Sequence, residues 1–378
     1  MIKNLVFSAS GSKIFIHLGF LKYLTENNFI ENVDTLIGTS GGAIMALIIS
    51  LGYKLETITE LFLKMDSNKL KKIDSESVLN FFENYGLDDG KNIERALRII
   101  LKTKHSSDRI TFKELFDLYN KKLVVCAINL QTHEEVYFTH NTYPNLDVVD
   151  AVLMSLSIPI MFKPKKFEGD MYVDGGLVCP YPIDYINKDD SIKYEETLGI
   201  VISPEYCICK DNVDYDFVFC NKQFNKRVEI DSFEEYLFSV LACGSIRLLK
   251  ERYEKYKDIS VLVINNGNGL IFEVDREMRE SLISEGYNFT NEFFIMKNKK
   301  IAEENKLKQE ESSNEASIDG ESSNEASIDG DSSNEVSIDR ESNDEESNEV
   351  LNDKVLNDTA SNDEINEKIK LLSKFSCH

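Results

Sequence analysis

From Leu36 to Leu51 the chain passes from a short apolar run through Gly38-Thr39-Ser40-Gly41-Gly42 into a second apolar run that begins at Ala43. No charged residue lies between Thr35 and Tyr53, nineteen positions, which is near the length that spans a bilayer. Residues 36–42 of that stretch, LIGTSGG, however, carry three glycines and two hydroxyls, and its strongly apolar part, Ile44 to Leu51, is too short to cross. The same letters read better as a buried strand, a sharp turn and a buried helix. The amino terminus repeats the arrangement: Leu5-Val6-Phe7 ends in Ser8-Ala9-Ser10-Gly11, and Phe15, Leu18, Leu21 and Leu24 follow at helical spacing. Two successive units in which a buried strand feeds a helix through a glycine-rich turn imply an α/β protein with a parallel sheet covered on both faces.

Further along, helical segments are expected near 55–65, 76–84, 91–102 and 111–120, and strands at Leu123–Ile128 and Glu135–Phe138. A helix at Leu146–Leu156 and a short strand at Met171–Val173 follow. Then come a strand at Leu198–Ile202, a helix over 232–255, a strand at Val261–Ile264 and a helix over 275–297. The decamer ESSNEASIDG stands at 311–320 and again at 321–330, and decays to DSSNEVSIDR at 331–340. A ten-residue unit with so few apolar letters buries too little surface to offset chain entropy, so 305–362 is expected to be disordered. Ile365, Ile369 and Leu372, interleaved with Lys368, Lys370 and Lys374, form a short basic amphipathic pattern read as a frayed, solvated end, with contact to a membrane or folding back on the body as the alternatives. The expected organisation is one domain over 1–304, with its motifs between about 4 and 265, and an acidic low-complexity tail over 305–378.

Charge and cysteine usage narrow the function classes. The formal net charge is -23, and of 66 acidic and 43 basic side chains, 19 and 5 lie in residues 311–378. An acidic tail on a mildly acidic body argues against a nucleic-acid partner. Seven cysteines without framework spacing, and no apolar leader after Met1, point to a reducing, cytoplasmic setting, peripheral at membranes and without a transmembrane helix. Cys207, Cys209 and Cys220 read as ordinary thiols, and no metal or cofactor is called for.

Gly38-Thr39-Ser40-Gly41-Gly42 fits G-x-S-x-G in the strand-turn-helix setting that gives the pattern meaning. Glycines two positions either side of the serine avoid collision with the neighbouring elements, and the serine oxygen is held up beside helix-terminal N–H groups. A plain phosphate-binding βα turn would use the same letters. The histidines discriminate further. Only His17, His105, His133, His140 and His378 exist, so an acid late in the domain has only His378 behind it, and a Ser…Asp…His order is disfavoured. The base is then sought among carboxylates. Asp174, in Tyr172-Val173-Asp174-Gly175-Gly176, closes a short apolar strand at a turn. The sequence alone reads Asp-Gly-Gly as either a tight turn or a carboxylate able to take a serine proton in a partly dry site.

Taken together, Leu5 to Leu24 with His17-Leu18-Gly19, Gly38-Thr39-Ser40-Gly41-Gly42, Ser155 to Phe162 and Asp174-Gly175-Gly176 resemble the patatin-like phospholipase family over roughly residues 4–265. The resemblance implies a three-layer α/β/α fold with a mainly parallel central sheet. It also implies a Ser-Asp dyad hydrolysing fatty-acyl esters of phospholipid or another lipid through an acyl-enzyme, with Ser40 as nucleophile and Asp174 as base. The chain departs from the family in the oxyanion loop. Where members usually carry three glycines, a residue, a basic residue and another glycine, this chain has Ala9, Ser10, Gly11, Ser12, Lys13 and Ile14. The amides of Gly11, Ser12 and Gly41 are the expected oxyanion donors, with Gly38, Gly42, Gly175, Gly176 and Lys13 in support. The altered loop motivates the alternative of a weak or inactive relative that binds lipid or a protein partner.

Other features have plainer readings. Lys163, Lys165 and Lys166 are expected near the mouth of the site as a solvated loop or a contact for lipid headgroups. His17 is expected to pack with one hydrogen bond satisfied. Phe81, Phe82, Phe112 and Phe116 are read as core, with lining of an acyl pocket as the alternative. Transient contact with a membrane surface is expected. Oligomeric state is not legible.

Overall fold

A computed structural model of the chain describes residues 1–66, 69–70, 72–203, 229–265, 267–271 and 273–319, with side chains as far as 308. These fall into two compact units, one of residues Met1–Lys297 and one beginning at Asn298.

The first unit is built on a mixed sheet. Its parallel part runs β10 (Ser260–Ile264), β9 (Thr197–Ser203), β1 (Asn4–Phe7), β2 (Thr35–Thr39), β4 (Lys122–Asn129). Three antiparallel strands extend it: β5 (Glu134–Phe138) and β8 (Asp170–Asp174) pair with β4, and β7 (Lys165–Phe167) pairs with β8. A separate two-stranded piece joins β3 (Gly86–Asp88) to β6 (Ile160–Phe162) in parallel. These three-residue strands β3, β6 and β7 were not expected from the sequence.

Strand periodicity explains the layers. Leu123, Val125 and Ala127 of β4 enter one hydrophobic core, whereas Val124, Cys126 and Ile128 enter another. Side chains alternate across a strand, so the two cores lie on opposite faces of the sheet. The first face carries α1 (Phe15–Glu26), α2 (Gly41–Ser50), α6 (Lys91–Lys104) and α8 (Val148–Ser155). The second carries the turns between Cys179 and Ile192 and the carboxyl half of α9 (Phe233–Tyr256). Helix α9 starts where the sequence signals it: Ser232 accepts from the Glu235 amide, and Glu235 reaches back to the Ser232 N–H.

Between α2 and α6 stand α3 (Leu55–Lys64), α4 (Ser75–Leu79) and α5 (Phe81–Asn84), and α7 (Phe112–Tyr119) precedes β4. The last helix, α10 (Arg276–Asp319), runs past the expected tail boundary at 305. Extending an existing helix needs no new nucleus, and Glu303, Glu304, Lys306, Leu307 and Lys308 are good helix formers. The rest of the expected disordered stretch, from 320, lies outside the described residues, as do Cys207, Cys209 and Cys220. No helix among the described residues is long and apolar enough to cross a membrane.

Candidate active site

Strand β4 brings the two motifs together. On one edge β2 runs parallel to it and ends with Thr39 opposite Cys126; β8 runs the other way and ends with Asp174 opposite Ala127. Cys126 and Ala127 also pair with Tyr137 and Val136 of β5, which therefore holds the other edge. Two strands thus meet end to end along one side of β4, and the residue after one terminus faces the last residue of the other. Ser40 Oγ donates to Asp174 Oδ2 at 2.6 Å.

The surroundings fix both groups. Ser40 is the residue before α2 and holds φ +54° and ψ −124°, a left-handed conformation that serine rarely adopts. Its N–H donates to Ser155 Oγ at 2.8 Å, and that hydroxyl donates to Cys126 O at 2.6 Å, so one side chain ties the strained turn to β4. Asp174 Oδ1 accepts from the Gly176 N–H at 2.6 Å, and the Asp174 N–H donates to Ser157 O at 2.9 Å. The glycines allow contacts that a side chain would forbid. A Cβ on Gly38 would lie 2.4 Å from Gly42 O, and one on Gly175 would lie 2.6 Å from Cys126 O.

Ser40 and Asp174 are both buried, at 3% and 4% exposure. Burial pushes the Asp174 carboxyl up to about 7, against the opposing effect of the hydrogen bonds from Ser40 and the Gly176 amide. Near neutral pH this acid exchanges its proton readily, and it already accepts the serine hydrogen.

Two cavities flank the pair. A cleft of about 150 Å³ is lined by Ser10, Lys13, Ser40 and Asp174, by Leu177 and Pro180, and by one side of α9 from Phe238 to Leu249. A second, of about 90 Å³, is lined by Ser40 and Gly41, by Phe15 and Phe62, and by Ile93, Ala96, Leu97 and Ile100; it has no charged lining. Gly11, Ser40 and Ile158 border both. The geometry suits an ester carbonyl at Ser40, with an apolar chain on one side and a larger group on the other. No histidine lines either cavity. Among the described residues no three His, Cys, Asp or Glu side chains gather as metal ligands would.

The expected oxyanion donors separate. The Ser12 N–H donates to Gly269 O at 2.8 Å and is not free to meet a substrate, which corrects its expected place. That bond exists because the loop around Gly269 lies on the glycine-rich turn: a Cβ on Gly11, at φ +53°, would stand 2.2 Å from Gly269 O. The Gly11 and Gly41 amides have no such partner among the described residues. Gly42 supports the elbow by close approach, since a Cβ there would lie 2.4 Å from Phe7 O. Lys13 is buried beside the cleft and donates to Asn265 O at 3.3 Å; burial lowers its ammonium to about 8.

Other expectations need adjustment. His17 is fully buried against the edge of Phe7, at 5.5 Å between ring centroids, but neither ring nitrogen has a hydrogen-bond partner among the described residues, contrary to the one bond expected. Burial depresses it to about 3, so it stays neutral. Lys163 Nζ donates to Asn84 Oδ1 at 2.8 Å and Lys165 Nζ to Asp89 O at 3.1 Å, tying both to the segment around β3. None of Phe81, Phe82, Phe112 and Phe116 lines a cavity beside Ser40; Phe15 and Phe62 do so instead. Phe112 is core, as read, whereas Phe82 is 83% exposed and is not. Ser155 was quoted in the sequence only as part of a motif, and nothing local signalled its bridging role.

The family model and the sequence relatives agree with this arrangement. A family model described as patatin-like phospholipase matches residues 5–186. The chain is 31% identical over 223 residues to "Probable lipid hydrolase 463L" of Invertebrate iridescent virus 6, covering 58% of this chain and 76% of that one. It is 28% identical over 290 residues to "Uncharacterized protein R571" of Acanthamoeba polyphaga mimivirus, covering 75% and 91%. Among solved structures, VipD from Legionella pneumophila aligns with a TM-score of 0.48 at 16% identity, over 77% of this chain and 66% of that one.

Proposed function

The chain belongs to the patatin-like phospholipase family, and on that premise we propose that it hydrolyses fatty-acyl esters of phospholipid or a related lipid, with Ser40 as nucleophile and Asp174 as general base. The observation that carries this reading is the 2.6 Å hydrogen bond from Ser40 to a buried carboxyl at the meeting point of two apolar cavities. In the first step Ser40 Oγ attacks the ester carbonyl while its proton passes to Asp174, and the Gly11 and Gly41 amides receive the oxyanion. Asp174 returns the proton to the departing alcohol or lysolipid. Water, losing a proton to the same carboxylate, then releases the fatty acid. The dyad holds its base by a single side-chain contact, so no imidazole is required.

The hydrolase domain in this reading is residues 1–304. Contact with a membrane surface is part of it: α4 and α5 bury no residue, yet Leu79 is 81% exposed. Helix α5 feeds β3 at the same end of the β3–β6 pair as Ile158 and Pro159, which line the cleft. Apolar side chains at such a rim favour transient attachment to lipid.

A second reading, a weak or inactive lipid-binding relative, is favoured by the occupied Ser12 amide. Turnover of a p-nitrophenyl ester and of phospholipid by the purified protein separates the two. Hydrolysis lost in both Ser40→Ala and Asp174→Asn supports the dyad; equal turnover in wild type and both variants rules it out. A fluorophosphonate that labels Ser40 without lipid turnover supports the second reading.

A further inference from the structure

Ser10 occupies the second glycine position of the family's usual oxyanion loop, and its hydroxyl is an anomaly. Ser10 is buried at 5% exposure, yet Oγ has no hydrogen-bond partner among the described residues. Burying a hydroxyl without a partner is unfavourable, and such groups are uncommon in folded proteins unless something else arrives to meet them. The residue that carries this one lines the cleft that holds Ser40 and Asp174.

Its position is specific. A Cβ built on Gly41, the residue after the nucleophile, would lie 2.3 Å from Ser10 Oγ and 3.4 Å from the Gly11 nitrogen. The Ser10 hydroxyl and the Gly11 backbone, whose carbonyl oxygen lies 3.2 Å from the same point, therefore pack against Gly41, the residue that follows Ser40. The Ser10 backbone is also held, because its carbonyl accepts from the Lys13 N–H at 3.0 Å. Meanwhile the amide two positions on, that of Ser12, is engaged by Gly269 O. The loop has one backbone donor fewer than expected and one side-chain donor more.

We propose that Ser10 Oγ is a catalytic donor to the oxyanion, taking the place that the Ser12 amide leaves empty. The proposal rests on the hydrolase reading above. When Ser40 Oγ bonds to the ester carbon and its proton moves to Asp174, the carbonyl π pair shifts to oxygen. That oxygen receives hydrogen bonds from Ser10 Oγ–H and the Gly11 and Gly41 amides. On collapse the pair returns, the ester C–O bond breaks, and Asp174 protonates the leaving oxygen. Ser10 gains and loses no proton overall. Its hydroxyl, which no described residue engages, bonds to the oxygen as negative charge develops, which is the differential binding that lowers a barrier.

The test compares wild type with Ser10→Ala, Ser10→Gly and Ser40→Ala, using a soluble p-nitrophenyl ester and a trifluoromethyl ketone that forms an oxyanion on the nucleophile. Loss of one oxyanion donor lowers kcat about 100-fold, so both Ser10 variants are expected to fall by about that factor with KM within about threefold. Binding of the trifluoromethyl ketone should weaken in parallel, while melting temperature holds and the fluorophosphonate still labels Ser40. A merely space-filling serine would leave kcat and ketone binding together at wild-type values. Wild-type kcat in both Ser10 variants, with Ser40→Ala inactive, overturns the role of Ser10 and leaves the dyad standing. A wild type that neither turns over ester nor takes the label overturns the dyad and this proposal together.

Discussion

Thr39 and Asp174 stand at successive register positions on the same edge of β4, opposite Cys126 and Ala127. The meeting of alcohol and acid is thus written into strand pairing, and the side chains need no long reach. Because the carboxyl sits at the end of a strand buried on both faces, its proton affinity is set by burial, and this has measurable consequences.

The kcat/KM for a soluble ester should rise with pH through about 7, the value to which burial raises Asp174. Below it the carboxyl is protonated and cannot accept the serine proton, so the rate at pH 6 is about tenfold below the plateau. A flat profile from pH 5 to 9 would refute Asp174 as the base. Stability carries the opposite sign. Between the ordinary carboxylate value and about 7 the folded chain holds more proton at this site than the unfolded chain, so Asp174 makes stability fall as pH rises across that window. Asp174→Asn should gain on wild type over the same interval in urea melts, and the gap should level off above it.

Ser155→Ala removes the hydroxyl that joins the Ser40 N–H to Cys126 O. Two buried backbone groups lose their partner, which costs about 1–3 kcal/mol. Ser40, the proposed nucleophile, also loses its tether, so kcat should drop about 10- to 100-fold with little change in KM. Thermal unfolding and steady-state kinetics on one preparation check both, and unchanged kcat would remove Ser155 from the positioning machinery.

Two glycines should respond in opposite directions. Gly175→Ala places a methyl within 2.6 Å of Cys126 O and 2.7 Å of Thr39 Cγ2, forcing the Asp174 turn away from Ser40. Activity should fall about 100-fold, with a lower melting temperature. Gly244 lies inside α9 with nothing within 4 Å of the added carbon. Gly244→Ala should stabilise by about 0.5–1 kcal/mol and leave turnover unchanged. Similar melting temperatures for the two variants would contradict the packing described.

How much of this was legible beforehand depended on sequence distance. Ser40 and Asp174 were readable because each sits in a short motif whose letters fix its own turn. The two faces of the sheet followed from strand-to-helix alternation. Strands β3, β6 and β7 are three residues each, too short to carry a period, and were missed. Local letters alone offer the Ser12 amide as an oxyanion donor, because its partner, Gly269, lies more than 250 positions away and nothing local announces the contact. The general rule that buried polar groups find a hydrogen bond fails at His17, where a histidine kept neutral by burial lies against Phe7 with no partner among the described residues.

Ala96 lines the apolar cavity beside Ser40 and is only partly buried, so a larger side chain fits there with little strain. Ala96→Phe should shorten the acyl chain accepted. Rates on acetyl and butyryl esters are expected within about threefold of wild type, and rates on long-chain esters about tenfold or more lower. An unchanged chain-length profile would assign the acyl group to the other cleft.

The two cavities share Ser40 but have different walls, so in the proposed reaction the two halves of the ester occupy separate compartments. Once the alcohol half has left, its compartment is vacant while the fatty chain stays attached. Whatever molecule next fills that compartment decides the product: water yields a free acid, and a second alcohol yields a new ester. Added glycerol should therefore divert part of the flux into acylglycerol, making the protein a transferase in proportion to the company it keeps.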